Sequence, residues 1–363
     1  MKKRKNILIS PLEWGLGHAA RIIPIAKQLI AMDHNVIIAC GPSLMPFFRT
    51  ELPQVKLIGF PGFSPVYSAK LPQYLVLLLE TPLLVYHVAK EHFTLKKIIT
   101  ENNIDIVISD NRFGLWNRKI TTAYITHMPL IPFPRPFRFL EFIGKTLHRA
   151  VIRKFTFCLI PDLPGDINLS GRLSHGFRMP ANVRYIGILS RFTRIPPAHG
   201  YSIEKQKRIT VILSGPEPQK GILKDILAGI LKDQPVPVTI LGGDPSRNSV
   251  SAVSGNISYN SHLPAEEMRE LITGGDLVIC RSGYTTIMEL ASLGCSALLI
   301  PTPGQTEQEY LAEYLSGKGY FSTLRQNEIK AVKMLPEVPP SFPDELLSES
   351  ALLLTKALEE LSE

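Results

Sequence analysis

The chain has little that would cross-link it, anchor it or chelate a metal. Only four of its 363 residues are cysteine, Cys40, Cys158, Cys280 and Cys295. None follows CxxC spacing, and three sit in apolar runs that read as strand ends. That argues against a disulfide frame or a zinc site, and for buried thiols in a reducing compartment. A signal peptide is missing, because Met1-Lys2-Lys3-Arg4-Lys5 leads straight into Ile7-Leu8-Ile9 without a long apolar region. The most apolar stretch, Tyr74 to Leu79, is broken by Glu80 and Pro82 and is too short to cross a bilayer. No loop carries an Asp-x-Asp pair, since Asp105 and Ile106 belong to a strand, and no HxxxH or His/Asp cluster offers a divalent site. The expectation is a cytoplasmic, enzyme-like protein with no metal and no cofactor.

What the chain does have is alternation. Strand Ile7–Ser10, a Gly-rich loop, helix His18–Met32 and strand Val36–Cys40 form a βαβ unit. Strand Val55–Phe60, a long helical region from Leu71 to Asn102, and strands Ile104–Ser109, Ala123–Thr126, Phe157–Ile160 and Val183–Ile186 continue it. Phe139, Phe142, Ile143, Leu147, Ala150 and Val151 mark an intervening helix. The pattern restarts at Arg208–Leu213 and runs through helix Gly221–Lys232, strands Val238–Gly242 and Ile257–Tyr259, and helix Glu266–Thr273. It ends with strands Leu277–Cys280 and Ala297–Pro301. Strands separated by helices predict parallel, doubly wound α/β sheets. We divide the chain into a first Rossmann-like domain over 1–192, a linker over 193–207 and a second domain over 208–343. A last helix over 344–363 is open to packing back on the first domain.

The net charge of +8 is unevenly placed. Residues 130–155 hold six Arg or Lys (Arg135, Arg138, Lys145, Arg149, Arg153, Lys154) against Glu141 alone, interleaved with aromatics. Such a segment suits an anionic membrane surface or a diphosphate-bearing acceptor. The alternative is a solvated helix face with its apolar side in the core. No nucleic-acid recognition pattern accompanies the charge.

The stretch richest in chemistry is Cys280-Arg281-Ser282-Gly283-Tyr284-Thr285-Thr286-Ile287-Met288-Glu289. A buried strand ends, a Ser-Gly turn follows, and a helix starts on hydroxyl residues. Its free amides and positive dipole end suit a phosphate. Glu289 lies four residues after Thr285 on the same helix face and can meet a ribose. Another strand then leads to Pro303-Gly304-Gln305-Thr306-Glu307-Gln308.

From about Asn256 to Gly319 these features resemble the nucleotide-sugar half of GT-B glycosyltransferases, in particular the N-acetylglucosaminyltransferases that make lipid II. The resemblance implies a GT-B fold of two Rossmann-like domains facing a cleft, and a UDP-sugar donor. A lipid-linked or other glycan acceptor and an inverting, metal-independent transfer belong to the same implication. It places Arg281, Ser282, Gly283, Thr285 and Thr286 at the diphosphate and Glu289 at the ribose. Gln305, Glu307 and Gln308 fall at the sugar, and Leu263 at the uracil. Ser214-Gly215 stands where the family has a phosphate loop, although Pro216 and Pro218 each remove an amide donor.

In the first domain, Gly15, Gly17 and Ala20 spell the GxGxxA form of a dinucleotide fingerprint. The second strand, however, ends Ile37-Ile38-Ala39-Cys40-Gly41 and lacks the acid that an NAD ribose needs. The other reading turns on His18, in the first turn of the helix, as a general base or a hydrogen bond to the donor diphosphate. Gly17 belongs to the same loop, and Arg21 one turn later is open to a phosphate or an ion pair. Asp110 ends a strand and can act as the base or orient His18. His127 follows the next strand on the same edge, toward the acceptor. Rival readings are a sugar-nucleotide epimerase on the same fold and a non-catalytic nucleotide-sugar sensor.

Overall fold

The computed structural model describes residues 4–65, 73–192, 206–244, 252–331, 336–339 and 349–363. Met1 to Lys3, the helical start at Leu71, most of the expected linker and the start of the last helix at Asp344 lie outside the described residues.

Two seven-stranded sheets are present. The first is parallel throughout, built from β1 (Asn6–Pro11), β2 (Asn35–Cys40), β3 (Lys56–Gly59), β4 (Ile106–Asp110), β5 (Thr121–Ile125), β6 (Phe157–Ile160) and β7 (Val183–Tyr185). Its order is β3-β2-β1-β4-β5-β6-β7. Helices cover both faces, so central strands such as Ile7-Leu8-Ile9 are wholly buried, which is why they read as continuous apolar runs. The second sheet holds β8 (Gln206–Ile212), β9 (Val238–Leu241), β10 (Ala252–Ser254), β11 (Ile257–Asn260), β12 (Gly275–Cys280), β13 (Leu298–Leu299) and β14 (Ser322–Thr323). Its order is β10-β11-β9-β8-β12-β13-β14, with β10 alone antiparallel to its neighbour.

Strand order reverses between β1 and β4 in one sheet and between β8 and β12 in the other. Such switch points open a crevice beyond the carboxyl ends of the strands, where this architecture places ligands. Helix α1 (Leu16–Ala31) leaves the first, and α8 (Tyr284–Ser292) leaves the second.

The remaining helices are α2 (Met45–Glu51), α3 (Gln73–Leu79), α4 (Thr81–Asn102), α5 (Glu141–Ile152), α6 (Gln219–Leu231), α7 (Ala265–Gly274), α9 (Thr306–Gly317) and α10 (Ser350–Ser362). The long helical region expected to Asn102 holds two helices, with Pro82 in the first turn of α4. Helices α2 and α9 and strands β10 and β14 had no counterpart in the sequence reading. Helix α10 lies against β7 and α1: Arg184 pairs with Glu360 (2.6 Å), and Gln28 Nε2 donates to Thr355 Oγ1 (3.4 Å).

One apolar cluster runs through both halves, from Ile7 and Ile9 to Tyr284, Ile287 and Leu361. Helix α5 departs from the expectation of an apolar side packed inward. Phe139, just before it, and Phe142 and Leu147 within it are 69, 65 and 64% exposed, while His148 and Ile152 face the core. Among the described residues no helix is long and apolar enough to cross a membrane.

Candidate active site between the two sheets

Gly15, at φ 111°, turns the chain from β1 into α1, a conformation that favours glycine. Glu13, just ahead, ties down neighbouring loops by accepting from the amides of Gly41 (2.7 Å) and Gly62 (3.1 Å). The first turn of α1 then presents His18, whose Nδ1 is 2.9 Å from Asp110 Oδ2 at the end of β4. Parallel pairing of β1 with β4 sets Pro11 beside Asp110, which brings the two groups together. Arg21, one turn on and 2% exposed, donates from Nε to Asp110 Oδ1 (2.9 Å) and from Nη2 to the same oxygen.

These neighbours set the protonation. Burial alone would raise the Asp110 carboxyl, but Arg21 and His18 outweigh it and hold Asp110 below the usual carboxylate range. Burial, then the Arg21 charge, push His18 below its ordinary value, with Asp110 pulling the other way. Nδ1 also lies 2.9 Å from Arg21 Nη2. Asp110, which only accepts, and Arg21, which only donates, thus meet the same nitrogen at equal distance; the tautomer that answers Asp110 carries its proton on Nδ1 and has Nε2 as the basic nitrogen.

His127, past the end of β5, carries the network to the other sheet. Its Nδ1 is 3.3 Å from Arg21 Nη1, its Nε2 is 2.8 Å from Glu307 Oε1, and its ring stacks on Tyr284 at 4.1 Å. Both ring nitrogens are therefore engaged. Burial would raise Glu307, but His127 holds it below the usual range.

On the second sheet the Ser-Gly turn leads into α8 as the sequence indicated. Thr285 Oγ1 donates to the Gly17 carbonyl (3.0 Å), so the two helix starts meet. A Cβ at Gly17 would come within 3.3 Å of that hydroxyl. Gly283 is the N-cap of α8, and Thr286 is half-buried in its first turn.

Glu289 is buried one turn further, 2.8 Å from Arg191 Nε, and the same guanidinium is 3.8 Å from Glu51. Burial raises the Glu289 carboxyl, against the pull of Arg191. Gln305 is the N-cap of α9. Gln308 is buried, its Oε1 accepting from the Thr302 amide (2.9 Å), which leaves its Nε2. Ser214 and Gly215, at φ 90°, close β8 on the same edge, and Leu263 is half-buried ahead of α7.

In Arg281, Nε is buried without a hydrogen-bond partner among the described residues, while the rest of the guanidinium meets backbone. Its guanidinium donates to the carbonyls of Ile300 (3.2 Å), Pro301 (3.2 Å) and Gln219 (2.9 Å) and is 1% exposed. It fastens the loops around β12, and burial lowers it to about 10. Ser282 Oγ likewise donates to a backbone carbonyl, that of Gln308 (2.8 Å), leaving the turn's amides as its anion-facing groups.

Arg191 is the residue that the sequence reading missed. It stood at the edge of a polar, Pro-containing stretch with nothing to pair it with Glu289, 98 residues away. The loop 161–175 also gains a place. Asp162 gathers the amides of Leu163, Leu169 and Ser170, and three tyrosines of the second half dock on this loop. Tyr284 OH donates to Pro161 O (2.8 Å), Tyr310 OH accepts from the Arg172 amide (2.7 Å), and Tyr314 OH meets Asn168 Oδ1 (3.0 Å).

Two Rossmann-like halves with ligand groups at both switch points define the GT-B class of glycosyltransferase. Residues 237–345 match the glycosyltransferase family 28 C-terminal domain. The chain is 24% identical over 327 residues to an uncharacterized glycosyltransferase of Methanosarcina acetivorans, covering 84% of this chain and 82% of that one. It is 27% identical over 163 residues to a UDP-N-acetylglucosamine--N-acetylmuramyl-(pentapeptide) pyrophosphoryl-undecaprenol N-acetylglucosamine transferase of Caldanaerobacter subterraneus. That match covers 42% of this chain and 43% of the relative. A solved spinosyn rhamnosyltransferase superposes with a TM-score of 0.61 at 14% identity, over 99% of this chain and 95% of that one, which shows the fold. The protein is a glycosyltransferase of GT-B fold with a family 28 C-terminal domain.

Proposed function

We propose that this enzyme moves a sugar from a UDP-sugar, with UDP-N-acetylglucosamine the first candidate, to a hydroxyl of a lipid-linked or cell-envelope glycan. The observation that carries the reading is the meeting of the His18–Asp110 pair with the start of α8. It sets a base and an anion-binding helix end on opposite sides of one crevice. His18 Nε2 takes the acceptor's proton as its oxygen attacks the anomeric carbon. The bond from that carbon to the diphosphate breaks, and UDP leaves with the electron pair toward the amides of 282–286.

In this reading Asp110 orients His18, Glu289 holds the ribose, Gln308 meets the sugar through Nε2, and Ser214-Gly215 and Leu263 border the nucleotide. His127 and Arg21 tie the halves together. The first half carries the acceptor and the second the donor. In this reading the enzyme works on the cytoplasmic face of the membrane, where a lipid-linked acceptor is reached; the outward apolar face of α5 and the basic stretch 130–155 support it.

Thermal shift with UDP, GDP, TDP and their common sugars, on wild type and Glu289→Ala, tests the donor site. A UDP-sugar that raises the wild-type Tm but not the variant's supports the reading. Stabilisation by NAD alone, or by no nucleotide, overturns it.

A further inference from the structure

At the far end of α5 from Glu141, an open cavity of about 610 Å³ is framed by Arg149, Arg153 and Arg178, with Phe155, Pro180 and Asn182 among its walls. No acidic residue is among the described residues that line it. Arg149 Nε is enclosed there without a hydrogen-bond partner among the described residues. Three like charges bordering one cavity repel one another, an arrangement that an anion relieves.

Helix α5 ends at this cavity, and the negative end of its dipole would oppose an anion. Its last carbonyls are covered, however. Ile152 O accepts from the Phe155 amide (3.2 Å) and from Asn182 Nδ2 (3.0 Å), Val151 O from the Lys154 amide (2.9 Å), and Arg149 O from the Arg153 amide (3.1 Å). The site therefore presents guanidinium N–H groups, which match the forked oxygens of a phosphate and stay charged across the working pH range.

Its neighbour names the source of that phosphate. On a helical wheel Arg149 and Arg153 fall within about 20° of Phe142, while Leu147 lies about 140° round, so the cavity arginines edge the outward apolar face at its Phe142 side. An apolar face edged by arginines is the pattern of a helix lying in a lipid headgroup layer.

We propose that the Arg149–Arg153–Arg178 cavity is a headgroup site for an anionic phospholipid, fixing α5 on the bilayer by a phosphate while its apolar face enters the acyl boundary. This deepens the membrane reading above and rests on it, and is independent of the donor site.

The test is flotation of the full chain with vesicles of phosphatidylcholine alone or mixed with phosphatidylglycerol. Wild type is expected on the mixed vesicles. Arg149→Gln, Arg153→Gln and Arg178→Gln together should weaken that binding about a hundredfold. Lys232→Gln, Lys318→Gln and Lys330→Gln remove the same charge from the second half and should leave it unchanged. Inorganic phosphate should release wild type more effectively than sodium chloride of equal ionic strength.

Equal loss in both triple variants, or equal release by the two salts, would reveal a diffuse field and overturn the cavity site. Retention of full binding by the arginine triple would do the same while leaving the membrane contact standing. A wild type that binds inorganic phosphate but floats with neither vesicle sinks the lipid assignment and the membrane reading together. UDP-induced thermal stabilisation, measured on the same variants, keeps the donor site separate from every outcome.

Discussion

Replacing His18 with glutamine isolates the proposed base from the architecture around it. The Asp110–Arg21 pair survives the change, since Arg21 reaches Asp110 through its own Nε and Nη2. Thermal stability should therefore shift little, and UDP should bind within a few-fold of wild type. Turnover should not survive: a positioned general base is worth about 10²- to 10⁴-fold, or roughly 3–5 kcal/mol of barrier. The pH profile adds a second handle. Burial and Arg21 lower the His18 pKa, so the neutral ring persists below pH 6.5, its ordinary value. UDP release by wild type should then hold level as pH falls to 6.5 and decline only beneath it, while the variant's residual rate lacks that limb. Asp110→Asn provides the contrast, because it leaves Arg21 buried without its partner and should cost stability as well, about 3–5 kcal/mol. A His18→Gln enzyme within tenfold of wild type, or a wild-type acid limb well above pH 6.5, would refute the assignment.

Glu289→Gln removes a charge-assisted contact to the ribose and should weaken UDP binding about ten- to a hundredfold, read by calorimetry. Unchanged affinity would mean that the carboxylate serves Arg191 alone. Gly171, at φ 52°, lies against Tyr310 and Tyr314, and an added Cβ would press on the Tyr310 hydroxyl and the Tyr314 ring. Gly171→Ala should cost about 1–3 kcal/mol in urea unfolding and lower turnover more than UDP affinity. Burial takes His148 down to about 4, so the unfolded chain binds its proton first as pH drops. Between pH 6.5 and about 4 wild type should lose about 3 kcal/mol more stability than His148→Gln. Parallel curves would discard that origin.

The strands and the two switch points were legible because buried parallel strands read as apolar runs and each site loop follows one directly. Gly283, Thr285 and Glu289 came from one short segment in which helix spacing alone fixes the geometry. Pairings across the chain were another matter. His18 and Asp110 are 92 residues apart, and His127 and Glu307 are 180 apart. Only the order β1 beside β4, and the closure of one sheet on the other, makes them neighbours. For Arg281 the sequence offered a residue type that suits a phosphate but not the carbonyls of Ile300, Pro301 and Gln219 that it meets, since only packing sets those contacts. For α5 the period gave an amphipathic helix but not the medium that its apolar side meets.

The charged groups at the crevice form one chain, from Glu307 through His127 to Arg21, Asp110 and His18, with its first member on the second half and the rest on the first. Arg21 is buried and faces both Asp110 and His127, so its charge is shared between a carboxylate that orients the base and an imidazole that leans on Glu307. Parting the halves would remove Glu307 and Tyr284 from His127 and let water into the crevice, undoing the burial that chiefly lowers His18 and screening the Arg21 charge. The base thus reaches its low-pKa, Asp110-oriented state when Thr285 is against Gly17, the same contact that brings the helix end meant for the diphosphate into place. Closure and the neutral form of His18 would then be coupled through shared residues. An open enzyme would then hold its donor beside a base not yet set for reaction, which limits transfer of the sugar to water before an acceptor is enclosed.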